Sequence, residues 1–184
     1  MSPFEQFARW FEEAGRDDRM ALATATRDGH PSVRMLLMKG FDEGGFVFFT
    51  GLESRKGREL AMNPRAAVCF YWHRLGRQAR VDGTAARVTD EEADAYFASR
   101  PLGSRLSAAV SPQSEVVRGR EELEARVEEL RSRLGEHVPR PSHWGGFRVS
   151  PESYEFWQHR EDRLHDRFRY RREAGGWLVE RLAP

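Results

Sequence analysis

The sequence predicts a mainly β protein, an antiparallel barrel that is closed or nearly closed, with flanking helices. Three observations carry this. Segments of strand composition outnumber helical ones. Turn signals join neighbouring strands as hairpins. The strand–helix–strand alternation of a doubly wound sheet is absent. The chain has 184 residues, enough for one domain with a sizeable core. No repeat, low-complexity stretch or linker divides it.

The elements follow in order. In "SPFEQFARWFEEAG", Phe4, Phe7 and Phe11 recur at helical spacing among charges. This predicts an amphipathic helix at about 3–15 rather than a signal peptide. "MALATAT" (20–26) and "PSVRMLLMK" (31–39) read as strands around an Asp28-Gly29 hairpin turn. "GFVFFT" (45–50) is the next strand. "SRKGRELAMN" (54–63) is a short helix, with Ser54 as N-cap and Asn63-Pro64 as its stop. Strands at 65–73 and 77–89 flank a turn at Gly76. "DEEADAYFASR" (90–100) is helical and ends at Pro101. Residues 120–134 form a charged helix whose apolar stripe includes Leu123, Val127, Leu130 and Leu134. Four strands close the chain, at 143–149, 153–158, 164–171 and 177–182.

Composition excludes several classes. Lys and Arg number 30 against 29 Asp and Glu, a net charge of +1. Nothing in that balance predicts nucleic-acid binding, so any anion site must be local. The single cysteine, Cys69, lies in "AAVCFYW" and reads as a buried, inert thiol. It forms no intrachain disulfide and fits a reducing cytoplasm. No apolar run reaches the ~18 residues of a membrane span. The G-x-G-x-x-G and P-loop patterns, paired cysteines and H-E-x-x-H are all missing. His159 and His165 alone make a weak case for a metal.

Four stretches carry charge in places that ask for a reason. In "ESRKGREL", Arg55 and Lys56 sit in the first turn of a helix, where the dipole disfavours cations. Either both are solvated, or they hold a phosphate together with Ser54 and the free backbone N–H groups; the segment alone weighs these evenly. In "RMLLMK", Arg34 and Lys39 bracket an apolar strand, and snorkelling to water explains both. In "YFASRPLGSR", Tyr96, Arg100 and Ser104 recur every four residues and suit a phosphomonoester. An ordinary helix end explains the same spacing more simply. In "DRLHDRFRYRRE" (162–173), extended-chain alternation puts Arg163, His165, Arg167, Arg169 and Arg171 on one face. Such a row repels itself, so something anionic is expected nearby. Trp157 in "YEFWQH" reads as core before it reads as a ligand wall.

Taken in order, "RMLLMK", "FFT", "SRK", "RQ", "YFASRP..S", "SPQS", "WGGFRVSP", "EFWQ" and "RLHDRF" closely resemble the pyridoxamine 5′-phosphate oxidase family. The resemblance runs from about Met20 to the closing "RLAP". It implies one FMN-binding split β-barrel domain over 1–184, antiparallel and Greek-key-like, working as a homodimer with FMN at the subunit interface. The implied reaction oxidises pyridoxamine or pyridoxine 5′-phosphate to pyridoxal 5′-phosphate, with O2 as acceptor and H2O2 as product. The related phenazine-pathway oxidase is one alternative. A non-catalytic carrier of pyridoxal phosphate or flavin is another.

The same resemblance implies roles by position. Arg34, Met35, Leu36, Leu37, Met38 and Lys39 match the flavin strand, and Lys39 also reaches substrate. Phe49 and Thr50 match the next flavin contact, with Phe49 standing where many members have tyrosine. Arg55 and Lys56 match the FMN-phosphate ligands, and Gln78 matches a contact to the flavin ring. Gln113, Ser114, Trp157 and Arg167 match FMN contacts from the partner subunit. Tyr96, Arg100 and Ser104 match the substrate-phosphate clamp. Arg163 and His165 match the catalytic residues over the substrate ring. Arg169 and Arg171 are left solvated, and Asp166 is expected to pair with an arginine. His159 departs from the glycine that often follows "EFWQ".

Overall fold

The computed structural model describes residues 1–184. Helix α1 (Pro3–Glu13) starts on a capping box, in which the Ser2 hydroxyl accepts the Glu5 N–H and the Glu5 carboxylate accepts the Ser2 N–H. Its apolar face buries Phe7, Trp10 and Phe11. Strands β1 (Arg19–Ala25) and β2 (Pro31–Leu37) pair from Arg19↔Leu37 to Ala25↔Pro31. Gly29, at φ 90°, closes their turn. Then come β3 (Gly40–Asp42), β4 (Gly45–Gly51), α2 (Arg55–Met62), β5 (Arg65–Trp72) and β6 (Arg77–Arg87). Helices α3 (Asp90–Ser99), α4 (Leu102–Val110) and α5 (Arg120–Leu134) precede β7 (Trp144–Gln158), β8 (Asp166–Glu173) and β9 (Gly176–Arg181).

All strand pairs are antiparallel and share one sheet, in the order β2-β1-β5-β6-β7-β4-β3, with β8 and β9 branching from β7. Strand β7 makes the branch. Its first part pairs with β4, from Gly51↔Trp144 to Phe46↔Val149. Its second part pairs with β8, from Ser153↔Arg171 to Gln158↔Asp166. Strand β6 follows both parts, and its register slips at Asp82/Gly83, where a bulge bends the sheet. The sheet curls into a half-barrel around an aromatic core. Phe7 is fully buried at its centre, edge-on to Phe41, Phe46 and Phe70 at 4.8–5.0 Å. Burying one such ring is worth about 1.5–3 kcal/mol. A smaller core of Phe97, Leu106, Val138 and Trp144 attaches α3 and α4 to the sheet. No helix is long and apolar enough to cross a membrane.

Several expected boundaries move. The strands expected at 143–149 and 153–158 are one continuous β7, because Pro151 sits at the bulge without breaking the ladder. Met38 and Lys39 lie beyond β2. Pro101 ends α3 as expected but also starts α4 as its N-cap, and this second helix was not expected. The short β3 was not expected. Cys69 is half-buried rather than buried, and burial pushes its thiol pKa up.

The cationic row is the largest correction. Strand β8 begins only at Asp166. Asp162 and Arg163 sit in a tight turn at φ 54° and 61°, so Arg163 does not share a strand face with His165. Arg167, Arg169 and Arg171 do share one, and protein carboxylates balance it. Arg167 binds Glu155 at 2.7–2.8 Å. Arg169 binds Glu180 through two nitrogens, and Arg171 reaches Glu173. Arg169 and Arg171 are therefore paired rather than simply solvated. Asp166 pairs as expected, accepting from Arg160 and Arg181.

A candidate active site in two parts

The first part is built around the start of α2. Ser54 caps this helix, its hydroxyl accepting the Gly57 N–H. Gly57 is required by contact, since a Cβ there would lie 2.1 Å from the Leu52 carbonyl oxygen. The first turn holds no acidic residue. Instead the Lys56 side chain folds back into the protein and is 6% exposed. Its Nζ donates to the Thr50 hydroxyl at 3.0 Å and approaches the Ser54 hydroxyl at 3.4 Å. Burial first, and the nearby Arg34 charge second, lower its pKa to about 8. Arg34 turns inward from β2, donating to the Leu22 carbonyl and the Thr24 and Ser32 hydroxyls. It is not a snorkelling strand-end residue.

Beneath these cations lies Glu59, which is 5% exposed. One carboxylate oxygen accepts from Arg55 Nε at 2.8 Å. The other accepts from Thr24 and Ser32 and faces Arg34 at 3.4 Å. Burial alone would raise its pKa, but the Ser32 and Thr24 hydroxyls and the Arg55 guanidinium hold it at about 2. The cluster thus presents a buried ammonium, two guanidiniums and the free N–H groups of a helix start. A phosphate dianion fits this set, because Lys56 has no carboxylate of its own.

Thr50 links the cluster to a cavity of about 560 Å³. Lys39, Thr50, Tyr96, Arg100, Ser104 and Gln113 line it. Tyr96, Arg100 and Ser104 therefore converge, although they come from two helices. Tyr96 stacks on Phe49 with centroids 4.1 Å apart, and Phe49 stacks on Trp144 at 5.4 Å. Arg100 lies 4.8 Å over the Trp144 ring. Its Nη1 is buried without a partner, and burial lowers its pKa. Lys39 Nζ is held by Asp18 at 2.9 Å. The Gln113 amide oxygen accepts from Thr50 Oγ1 and the Gly51 N–H. Within one protomer, Gln113 thus belongs to this first part. Leu36 and Leu37 also reach the cavity wall. Met35 faces solvent at 66% exposure, and Met38 is buried in the core. Neither of those side chains reaches the cavity.

The second part sits near the other end of β7. Gln78 pairs with Trp157 across β6–β7, and Trp157 with Arg167 across β7–β8. The Trp157 ring lies 4.7 Å from His165, which lies 5.2 Å from His159. His165 Nδ1 accepts the Arg160 N–H at 3.2 Å. Arg167 also donates to the Ala183 carbonyl, docking the C-terminus. Arg163 is exposed. Ser114 is exposed in a loop at φ 77°. The cavity lined by Tyr96, Arg100 and Ser104 does not include Gln78, Trp157, His165 or Arg167. Three residues of the arrangement were missed in the sequence: Glu59, Glu155 and Trp144. Glu59 had a local signal, four residues after Arg55 on one helix face. Glu155 pairs with partners distant in sequence, and Trp144 stood unassigned in "WGGF".

The comparisons with known proteins agree with one another. Residues 5–134 match the family described as pyridoxamine 5′-phosphate oxidase. Residues 144–184 match the pyridoxine 5′-phosphate oxidase C-terminal dimerisation region. The pyridoxine/pyridoxamine 5′-phosphate oxidase of Rubrobacter xylanophilus is 58% identical, covering 99% of this chain and 87% of its own. That of Bordetella pertussis is 53% identical, covering 100% and 90%. Among solved structures, PhzG from Burkholderia lata, in complex with tetrahydrophenazine-1-carboxylic acid, superposes with a TM-score of 0.95 at 35% identity. It covers 100% of this chain and 93% of that one. A pyridoxamine 5′-phosphate oxidase-related, FMN-binding protein from Nostoc punctiforme shares the fold, with a TM-score of 0.80 at 19% identity, covering 100% and 99%.

Proposed function

The chain belongs to the pyridoxamine 5′-phosphate oxidase family, and from that premise we propose that it oxidises pyridoxamine and pyridoxine 5′-phosphates to pyridoxal 5′-phosphate with FMN as cofactor. It does so as a homodimer, in keeping with its dimerisation region. One observation carries the reading. Two groups of cations stand at one cavity: Arg100 lines it beside Tyr96 and Ser104, and Lys56 reaches its wall through Thr50. A single phosphate would need one seat; a phosphorylated cofactor beside a phosphorylated substrate needs two.

FMN, when bound, supplies the two-electron oxidation and returns the electrons to O2, giving H2O2. The chain's own residues bind, orient and shield. Ser54, Arg55, Lys56 and Arg34 receive the cofactor phosphate. Arg100, with its orphaned Nη1, receives the substrate phosphate, and Tyr96 and Ser104 add hydroxyl donors. Lys39 lines the same cavity, paired with Asp18. The stacked Phe49, Tyr96 and Trp144 rings give the cavity an apolar wall against which a ring can pack; oxidation of the amine substrate also consumes one water and releases ammonia. Arg163 places a cation at the substrate's phenolic oxygen, and His165 orients its ring. The partner subunit supplies this second part with its Trp157 and Arg167, and Ser114 as well, while Gln78 contacts the flavin ring. Arg163 and His165 approach the substrate from a turn and a strand start. Gln113 is divided between readings: its side chain is engaged by Thr50 of its own protomer, and the family pattern assigns it to the partner.

The phenazine-type alternative rests on the PhzG likeness at 35% identity. The convergent Tyr96, Arg100 and Ser104 set favours a phosphorylated substrate instead. The test is turnover of the purified dimer on pyridoxamine phosphate, phosphate-free pyridoxamine and a dihydrophenazine carboxylate. H2O2 and the aldehyde should form from the first alone. Equal turnover of the phenazine, or no turnover by a flavin-loaded dimer, contradicts the proposal.

A further inference from the structure

We propose that Glu59 is a positioning residue for the cofactor phosphate: it holds Arg34 and Arg55 in the seat and trims the seat's charge to match a dianion. The inference rests on the reading of the α2 start as a phosphate site. A carboxylate facing such a site is at first sight counterproductive, since it repels the ligand. Its contacts show why it is useful. Both oxygens are used: one by Arg55, the other by Thr24, Ser32 and Arg34. Through them a single side chain ties the first turn of α2 to the β1–β2 hairpin.

Charge explains the need. Arg34, Arg55 and Lys56 gather three cations at a helix start that is already electropositive. Without a counter-ion they repel one another, and the exposed Arg55 swings into solvent. With Glu59 the cluster carries two net positive charges, against a phosphomonoester of about −2 at neutral pH. Glu59 leaves donors free for that ligand. It engages only Nε of Arg55, so both terminal nitrogens remain available. Arg34 keeps only Nε unengaged, so it contributes mainly charge. Glu59 is also ionised at any working pH. A buried charge that organises neighbouring cations in advance lowers the cost of ordering them on binding.

The test is Glu59→Gln in the full-length dimer freed of flavin, titrated with FMN and with riboflavin. FMN affinity should fall about tenfold or more, the scale of one charge-assisted contact. Riboflavin affinity should stay at the parent value. Glu59→Asp keeps the charge but withdraws it by one methylene, and should lose less than Glu59→Gln. If Glu59→Gln does not fold, Glu59→Asp carries the test, with FMN weakened at least about threefold and riboflavin unmoved. Unchanged or tighter FMN binding overturns the proposal. So does an equal loss for both ligands, which marks a role in the fold alone. A parent protein that binds riboflavin as well as FMN overturns the phosphate reading itself, and the proposal falls with it.

Discussion

The Lys56 ammonium donates to the Thr50 hydroxyl at 3.0 Å and shares that hydroxyl with Gln113, which accepts from it at 2.9 Å. One threonine thereby connects a buried cation to the cavity wall. Burial first, and the nearby Arg34 charge second, bring the Lys56 pKa down to about 8 from 10.5, and its hydroxyl partners supply no opposing charge.

That shift has a direction that experiment can read. The unfolded chain protonates Lys56 up to about 10.5, and the unliganded fold only up to about 8. Between those values the unfolded state binds more protons, so rising pH stabilises the flavin-free protein through this group. A dianion in the seat reverses the preference. FMN binding then takes up a proton near pH 8, and FMN affinity falls as pH rises through that value. Titrations from pH ~7 to ~9.5 should show this fall in the parent and not in Lys56→Met.

Gly57→Ala should cost both stability and FMN affinity. Its new Cβ would lie 2.1 Å from the Leu52 backbone oxygen, so the first turn of α2 must shift. The expected destabilisation is about 1–3 kcal/mol, as for other overpacked sites. Denaturant midpoints of the flavin-free protein, compared with the parent, check it.

Arg167 and Arg169 look alike in sequence and should behave differently. Arg167→Leu leaves the buried Glu155 with Arg80 as its remaining cation. It should cost about 1.5–3 kcal/mol and weaken FMN. Arg169 pairs with Glu180 where both side chains are partly exposed, so Arg169→Leu should cost under about 1 kcal/mol and spare FMN. Urea unfolding and FMN titration of each variant separate the two.

The two-part site predicts complementation. Arg100→Ala disables the first part and Arg163→Ala the second. Each homodimer should be inactive. After subunit exchange, half the dimers are mixed, and each mixed dimer has one intact site. Activity should therefore recover to about a quarter of the parent. No recovery despite proven exchange would mean that both parts serve the same chain's site.

The sequence disclosed periodic and capped features well. Ser54, with its hydroxyl ahead of a short helix, marked α2, and Asp28-Gly29 marked the first hairpin. Tyr96, Arg100 and Ser104 were legible as a set because two successive steps of four residues repeat near the helical period. The failures share a cause. Arg163 was placed by strand alternation, yet two left-handed residues precede the strand, and only tertiary packing sets that. The anions opposite the arginine row, Glu155 and Glu180, come from neighbouring strands whose register no local pattern gives. The Glu59 spacing to Arg55 was legible, but its burial was not, because a charged residue on a short helix ordinarily faces water.

The central claim is that this fold is an FMN oxidase for phosphorylated B6 vitamers, and one measurement meets it most directly. The visible spectrum of the FMN-loaded dimer is recorded without oxygen, before and after pyridoxine 5′-phosphate is added. The yellow absorption should bleach with one substrate per flavin, and admitting air should restore it with release of H2O2. A flavin that stays oxidised at saturating pyridoxine and pyridoxamine phosphates would contradict the account.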